Sequence, residues 1–163
     1  QALVNIVSNL THLGDSITLA IISIVTVGIL CYFRLYSMAV WFSAAAAGSF
    51  IITAASKFFF ARARPDIVEQ FANVTSGSFP SGHTLRSAVV YTALAYLLMQ
   101  TQFCSNHKRT IAIFTIAIIA ANGISRVYLG VHWPTDILGA WLIAGFWILL
   151  CKKGYDNAVK VKE

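Results

Sequence analysis

Lys57 and Arg64 stand seven residues apart, and Pro65 follows the arginine. On a helix of 3.6 residues per turn that interval returns to nearly the same face, roughly 10 Å along the axis. A proline disfavours helical backbone at the residue before it, so the helix is expected to end at Arg64. Two cations then reach one space, from a helix end and from the loop after it. Further along, Pro80-Ser81-Gly82-His83 precedes a long apolar run. Ser81 suits an N-cap, Gly82 lets a ligand approach the backbone, and the free amides and positive dipole end of the next helix favour an anion. Taken alone, the tetrapeptide is ordinary capping beside one histidine. Ser125-Arg126 closes a later apolar run, His132 comes six residues after Arg126, and Asp136 four after His132. With Pro134 at the first helical position, Asp136 falls in the first turn, its carboxylate close to the loop imidazole. A carboxylate bonded to one ring nitrogen fixes the tautomer and leaves the other nitrogen as nucleophile or base. A helix-dipole partner beside an interfacial histidine is the plainer account of the same pair. Such a pair also suits a metal, but the neighbouring lysine and arginines would repel a cation.

Three cations, an anion-binding helix terminus, two histidines and one orienting carboxylate together fit attack on a phosphate. Charge on the equatorial oxygens is stabilised while a nucleophile enters and a leaving oxygen is protonated. One histidine must be deprotonated to attack and the other protonated to donate, so their surroundings must separate their pKa values.

Composition restricts the scaffold that can hold these residues. Of 163 residues, 58% are hydrophobic and 11% charged, and the mean hydropathy is +0.72. Soluble chains carry about a quarter charged residues, so this chain lacks the polar surface to cover itself in water. It reads as one membrane domain over 1–163. The net charge of +6 does not point to nucleic acid, because the twelve Lys and Arg are scattered between apolar runs. Five apolar stretches lie at 16–33, 38–60, 85–103, 110–126 and 135–151. Each is long enough to cross a hydrocarbon core of roughly 30 Å. They predict an all-α integral membrane bundle of five transmembrane helices. Leu3, Ile6, Val7 and Leu10 at helical spacing predict a short interfacial helix ahead of them. Cys31, Cys104 and Cys151 have neither disulfide nor zinc spacing and are read as reduced and structural. The chain opens on Gln1 with no signal peptide before the first apolar run, as expected of a processed product or a segment of a longer chain.

Alternation places Arg34, Lys108, Arg109, Lys152, Lys153, Lys160 and Lys162 on one side, seven of the twelve basic residues against only Asp156 and Glu163. That side is expected to be cytoplasmic. Tyr32, Tyr36, Trp41 and Tyr155 would form an aromatic belt there, and Tyr128 and Trp133 the opposite one. Ionisable residues from four separate parts of the chain then meet at the other face, and such convergence beside hydrocarbon marks a functional site by default. Arg62 falls on a different helical face from Lys57 and Arg64 and is read as snorkelling to headgroups, among lipid-facing Phe58, Phe59 and Phe60.

The pattern Lys57, six residues, Arg64-Pro65; Pro80-Ser81-Gly82-His83; then Ser125-Arg126, five residues, His132, three residues, Asp136 resembles a known three-part signature. It is that of the type-2 phosphatidic acid phosphatase superfamily, which also contains the vanadium haloperoxidases. The resemblance implies a metal-independent lipid phosphate phosphatase with no cofactor. His132 would form a phosphohistidine and Asp136 would orient it. His83 would protonate the leaving oxygen and later activate water. Lys57, Arg64, Ser81, Gly82 and Arg126 would hold the phosphate oxygens. The substrate would be a phosphomonoester or diphosphate of a bilayer lipid; undecaprenyl diphosphate, phosphatidylglycerophosphate and phosphatidic acid are the family's candidates. The setting would be a bacterial inner membrane, with the site on its periplasmic or extracellular face.

Two rival readings use some of the same residues. A non-enzymatic lipid-phosphate binder or transporter needs the cations but leaves His83, His132 and Asp136 idle, and a metal-dependent hydrolase would fail in chelator. Two features depart from the family's pattern. Its integral members commonly have six spans, so a first helix of a longer parent chain is expected to be missing here. Arg86 stands one turn after His83, where a smaller or uncharged residue is expected. It would pair with Glu69 or Asp66, or contact the second phosphate of a diphosphate.

Overall fold

A computed structural model of the chain describes residues 2–66 and 76–160, and all of their regular structure is helical. Helix α1 (Ala2–Thr11) and a 3-10 turn, His12–Gly14, lead into α2 (Ser16–Tyr32). Helices α3 (Tyr36–Phe60), α4 (Gly82–Gln100), α5 (Lys108–Tyr128) and α6 (Pro134–Lys160) follow. Each of the five apolar stretches therefore forms a helix. Among the described residues, α3, α5 and α6 are long and apolar enough to cross a membrane. A fourth span results if Val7–Gly14 and α2, bent by 46°, count as one broken span. The count is thus three, or up to four, where five were expected. Helix α2 alone has 17 residues, marginal for a crossing. Helix α4 packs on α3, α5 and α6, so it faces protein more than lipid and carries buried Thr84 and Ser87.

Lipid tails give helices little hydrophobic reason to associate, so close packing of small side chains matters more. Ala45, Ala46, Ala88, Ala93, Ala140 and Ala144 are buried where α3, α4 and α6 meet. The outward faces are apolar, with Ile51, Phe58, Phe59, Phe114, Leu142 and Phe146 exposed. Trp41 departs from the expected aromatic belt: it is 4% exposed, with its ring centroid 5.0 Å from that of Tyr96 and 6.0 Å from that of Tyr155. Helix α1 packs against α5; the side chains of Leu3 and Ile6, part of its expected apolar face, lie outside the described residues.

The end of α3 comes earlier than Pro65 predicts. The helix stops at Phe60, and Ala61 takes the left-handed conformation (φ 40°) with its N–H donating to the Lys57 carbonyl at 3.1 Å. Residues 61–66 run on without regular structure. Lys57 is thus on the last helical turn and Arg64 on the segment beyond it.

Candidate active site

The C-terminal ends of α3 and α5, the first turn of α4 and the loop before α6 face one cavity of about 360 Å³. Lys57, Arg64, His83, Arg86, Arg126 and His132 all line it, and among the described residues no acidic side chain does. A larger groove of about 470 Å³ lies at the opposite helix ends, between Tyr36, Trp41 and Tyr155, and among the described residues no charged side chain lines it. Of these two, the first has the chemistry to hold an anion.

His132 sits in the turn between α5 and α6, 3% exposed, and Asp136 behind it is fully buried in the first turn of α6. Asp136 Oδ2 lies 3.3 Å from His132 Nδ1 and accepts the Trp133 N–H at 3.0 Å. His132 Nε2 is left for the cavity, 3.4 Å from Arg64 Nη1. Burial holds the His132 pKa below the ordinary imidazole value, against the upward pull of the Asp136 bond, and Arg64 and Arg126 add to the lowering. The ring therefore stays neutral near neutral pH, with a lone pair free to attack.

The second oxygen of Asp136 corrects the reading of Arg62. Instead of snorkelling outward, Arg62 donates through Nη1 to Asp136 Oδ1 at 2.8 Å and to Thr135 Oγ1 at 2.8 Å. Its guanidinium also lies 5.7 Å from the Trp133 ring centroid. The helical reading separated Arg62 from Arg64; once the backbone leaves the helix at Ala61, that separation no longer applies. A buried carboxylate needing several donors was the signal that could have found it.

The cations are held from behind. Arg64 donates through Nε to the Ser76 carbonyl at 2.8 Å and through Nη1 to the Val131 carbonyl at 2.6 Å, and Lys57 Nζ donates to Ser76 Oγ at 2.9 Å. Arg126 is 4% exposed; Nη1 donates to Thr11 Oγ1 at 3.1 Å, and Nε has no hydrogen-bond partner among the described residues. Gly82 is closely packed: a Cβ there would stand 3.0 Å from Thr53 Cγ2 and 3.0 Å from Arg86 Nη2, so those side chains would have to shift to admit one. Ser81 occupies the N-cap position of α4 but forms no capping bond through its side chain. Its buried hydroxyl accepts from Thr84 Oγ1 at 3.0 Å, and its N–H donates to the Asp136 carbonyl at 3.3 Å, tying the two motif loops together. The Ser81 hydroxyl is not on the cavity wall.

Arg86 points into the cavity, its guanidinium 5.1 Å from the Phe50 ring centroid and its buried Nε without a hydrogen-bond partner among the described residues. Asp66 is exposed and forms no ion pair with Arg86 among the described residues, and Glu69 lies outside them. One contact was not anticipated at all: Asp15 Oδ1 is 2.7 Å from His83 Nε2.

The fold and the site define a class, a membrane-embedded helical bundle with a cation-lined oxyanion cavity backed by a His-Asp pair. Residues 36–160 match the PAP2 superfamily, and the chain belongs to it, with the membrane lipid phosphatase fold. Over 157 residues it is 34% identical to the phosphatidylglycerophosphatase B of Bacillus subtilis, covering 95% of this chain and 76% of that one. Over 89 residues it is 33% identical to an undecaprenyl-diphosphatase of Sulfolobus acidocaldarius, covering 55% of this chain and 38% of the other. The crystal structure of the transmembrane PAP2 type phosphatidylglycerolphosphate phosphatase from Bacillus subtilis superposes with a TM-score of 0.85 at 33% identity, covering 96% and 78% of the two chains. Aquifex aeolicus LpxE shares the fold, with a TM-score of 0.73 at 22% identity and coverage of 93% and 86%. The chain is an integral membrane protein of the lipid phosphate phosphatase class.

Proposed function

We propose that this chain hydrolyses the terminal phosphate of a bilayer lipid through a phosphohistidine on His132, with no metal, at the periplasmic or extracellular face of a bacterial inner membrane. The observation that carries the reading is the convergence of Lys57, Arg64, Arg126 and both imidazoles on one cavity, with Asp136 bonded behind His132. The cations and the Gly82 amide neutralise the equatorial oxygens as His132 Nε2 attacks phosphorus. His83 gives a proton to the leaving oxygen, then takes one from the water that displaces His132. Phosphatidylglycerophosphate, undecaprenyl diphosphate and phosphatidic acid are the proposed substrates; relatives named for the first two support that range.

Phosphate release from these three lipids, with and without excess chelator, tests the proposal. Release is expected to persist in chelator. Its disappearance would favour a metal-dependent hydrolase, and lipid binding without release would favour a binder or transporter.

Arg86 bears on the choice among lipids. Its position on the cavity wall, with no ion pair to Asp66 among the described residues, supports contact with a second phosphate. Arg86→Ala is expected to lower kcat/KM for undecaprenyl diphosphate about 10-fold more than for phosphatidic acid, the size of one lost charge-assisted hydrogen bond. Equal losses on the two would remove the second-phosphate role.

A further inference from the structure

The N-terminal segment is bound closely to the site. Tyr91 of α4 donates its hydroxyl to the Leu13 carbonyl at 2.7 Å, and Ser125 of α5 donates to Thr11 Oγ1 at 3.1 Å. Gly14 permits the approach, because a Cβ there would collide with the Asn122 carboxamide and come within 3.2 Å of His83 Cβ. These contacts bring Asp15 to His83. Asp15 occupies the N-cap position of α2, yet its side chain makes no capping bond. Both carboxylate oxygens go to histidines instead: Oδ1 to His83 Nε2 at 2.7 Å, and Oδ2 to Nδ1 of the exposed His12 at 2.6 Å.

We infer that Asp15 is a positioning residue for His83, forming with it a second histidine-carboxylate pair that serves the acid-base half of the reaction as Asp136 and His132 serve the nucleophilic half. The inference rests on the phosphatase reading above. Holding Nε2 as a donor to Asp15 leaves Nδ1 as the nitrogen that exchanges protons with the substrate. Arg86 on α4 and Arg126 on α5 share the cavity with His83, as do Lys57 and Arg64 across it. Burial, with Arg126 and Arg86 beside the ring, holds the His83 pKa well below the ordinary imidazole value, and the Asp15 carboxylate is the negative group that pulls it back up. In the first step the imidazolium Nδ1–H passes its proton to the leaving oxygen as the P–O bond breaks and the bond from phosphorus to His132 Nε2 forms. In the second, neutral Nδ1 takes a proton from water as the water oxygen bonds phosphorus. The P–N bond then breaks, its electron pair returning to His132 and inorganic phosphate leaving.

The test compares two leaving groups on one preparation of the full chain in detergent. Short-chain phosphatidic acid expels an alkoxide and needs the proton; p-nitrophenyl phosphate expels a stable phenolate and does not. The ratio kcat/KM reports the steps up to departure of the leaving group, and comparing it between two substrates on one sample cancels any difference in folded fraction. Asp15→Asn is expected to lower kcat/KM for phosphatidic acid by roughly 10- to 100-fold, and that for p-nitrophenyl phosphate by less than about threefold. Asp15→Glu, which restores the charge, is expected to recover part of the loss. Equal losses on both substrates, or no loss on phosphatidic acid, would overturn the role of Asp15. A wild-type chain that hydrolyses neither compound would overturn the phosphatase reading itself, and the inference with it.

Discussion

His132→Ala is expected to reduce phosphate release by on the order of 10⁴-fold or more, as removal of a covalent nucleophile does elsewhere. The geometry gives the reason. Nε2 is the ring nitrogen left for the cavity once Nδ1 is bonded to Asp136, and the cations surround the space before it. Among the described residues the other imidazole on the cavity wall, His83, has its Nε2 engaged by Asp15 and has no buried carboxylate behind it. It is poorly placed to replace the lost nucleophile. Release by the alanine variant within tenfold of wild type would end the assignment.

Asp136→Asn is expected to lower kcat by about 10³-fold or more while leaving the cations in place. Three donors point at this side chain: the Arg62 guanidinium, the Trp133 N–H and His132 Nδ1. A carboxamide accepts through one oxygen only, so its NH₂ group must face a donor. If that donor is His132 Nδ1, the ring changes tautomer and its proton moves to Nε2, where no lone pair remains for attack. An unsatisfied buried donor also costs about 1–3 kcal/mol, so the variant's thermal midpoint in detergent should fall. Near-normal kcat in a variant of lowered stability would make Asp136 a structural residue alone.

The apolar stretches were legible because a spanning helix must be apolar over its whole length, and the five helices stand where those stretches lie. The number of spans was less legible, since composition along one stretch does not show whether neighbours will shield it. Helix α4 carries Thr84 and Ser87 because other helices surround it. Trp41 shows the same limit, buried against Tyr96 and Tyr155 where its position at a helix end suggested an interface. In the site, local spacing sufficed for His132 and Asp136, four residues apart on a proline-started helix. It failed for Arg62, because the helix ended at Ala61 and not at the residue that Pro65 restricts. Asp15 was beyond its reach: 68 residues separate it from His83, and the turn at His12–Gly14 with its contacts to α4 and α5 brings them together.

The most direct measurement is to mix wild-type chain with a lipid carrying a radiolabelled terminal phosphate, quench in alkali within a turnover, and locate the label. A phosphoramidate on His132, stable in alkali, lost in acid and absent from His132→Ala, is the expected result. Turnover with the label on a different residue, or labelling that survives in His132→Ala, would contradict it.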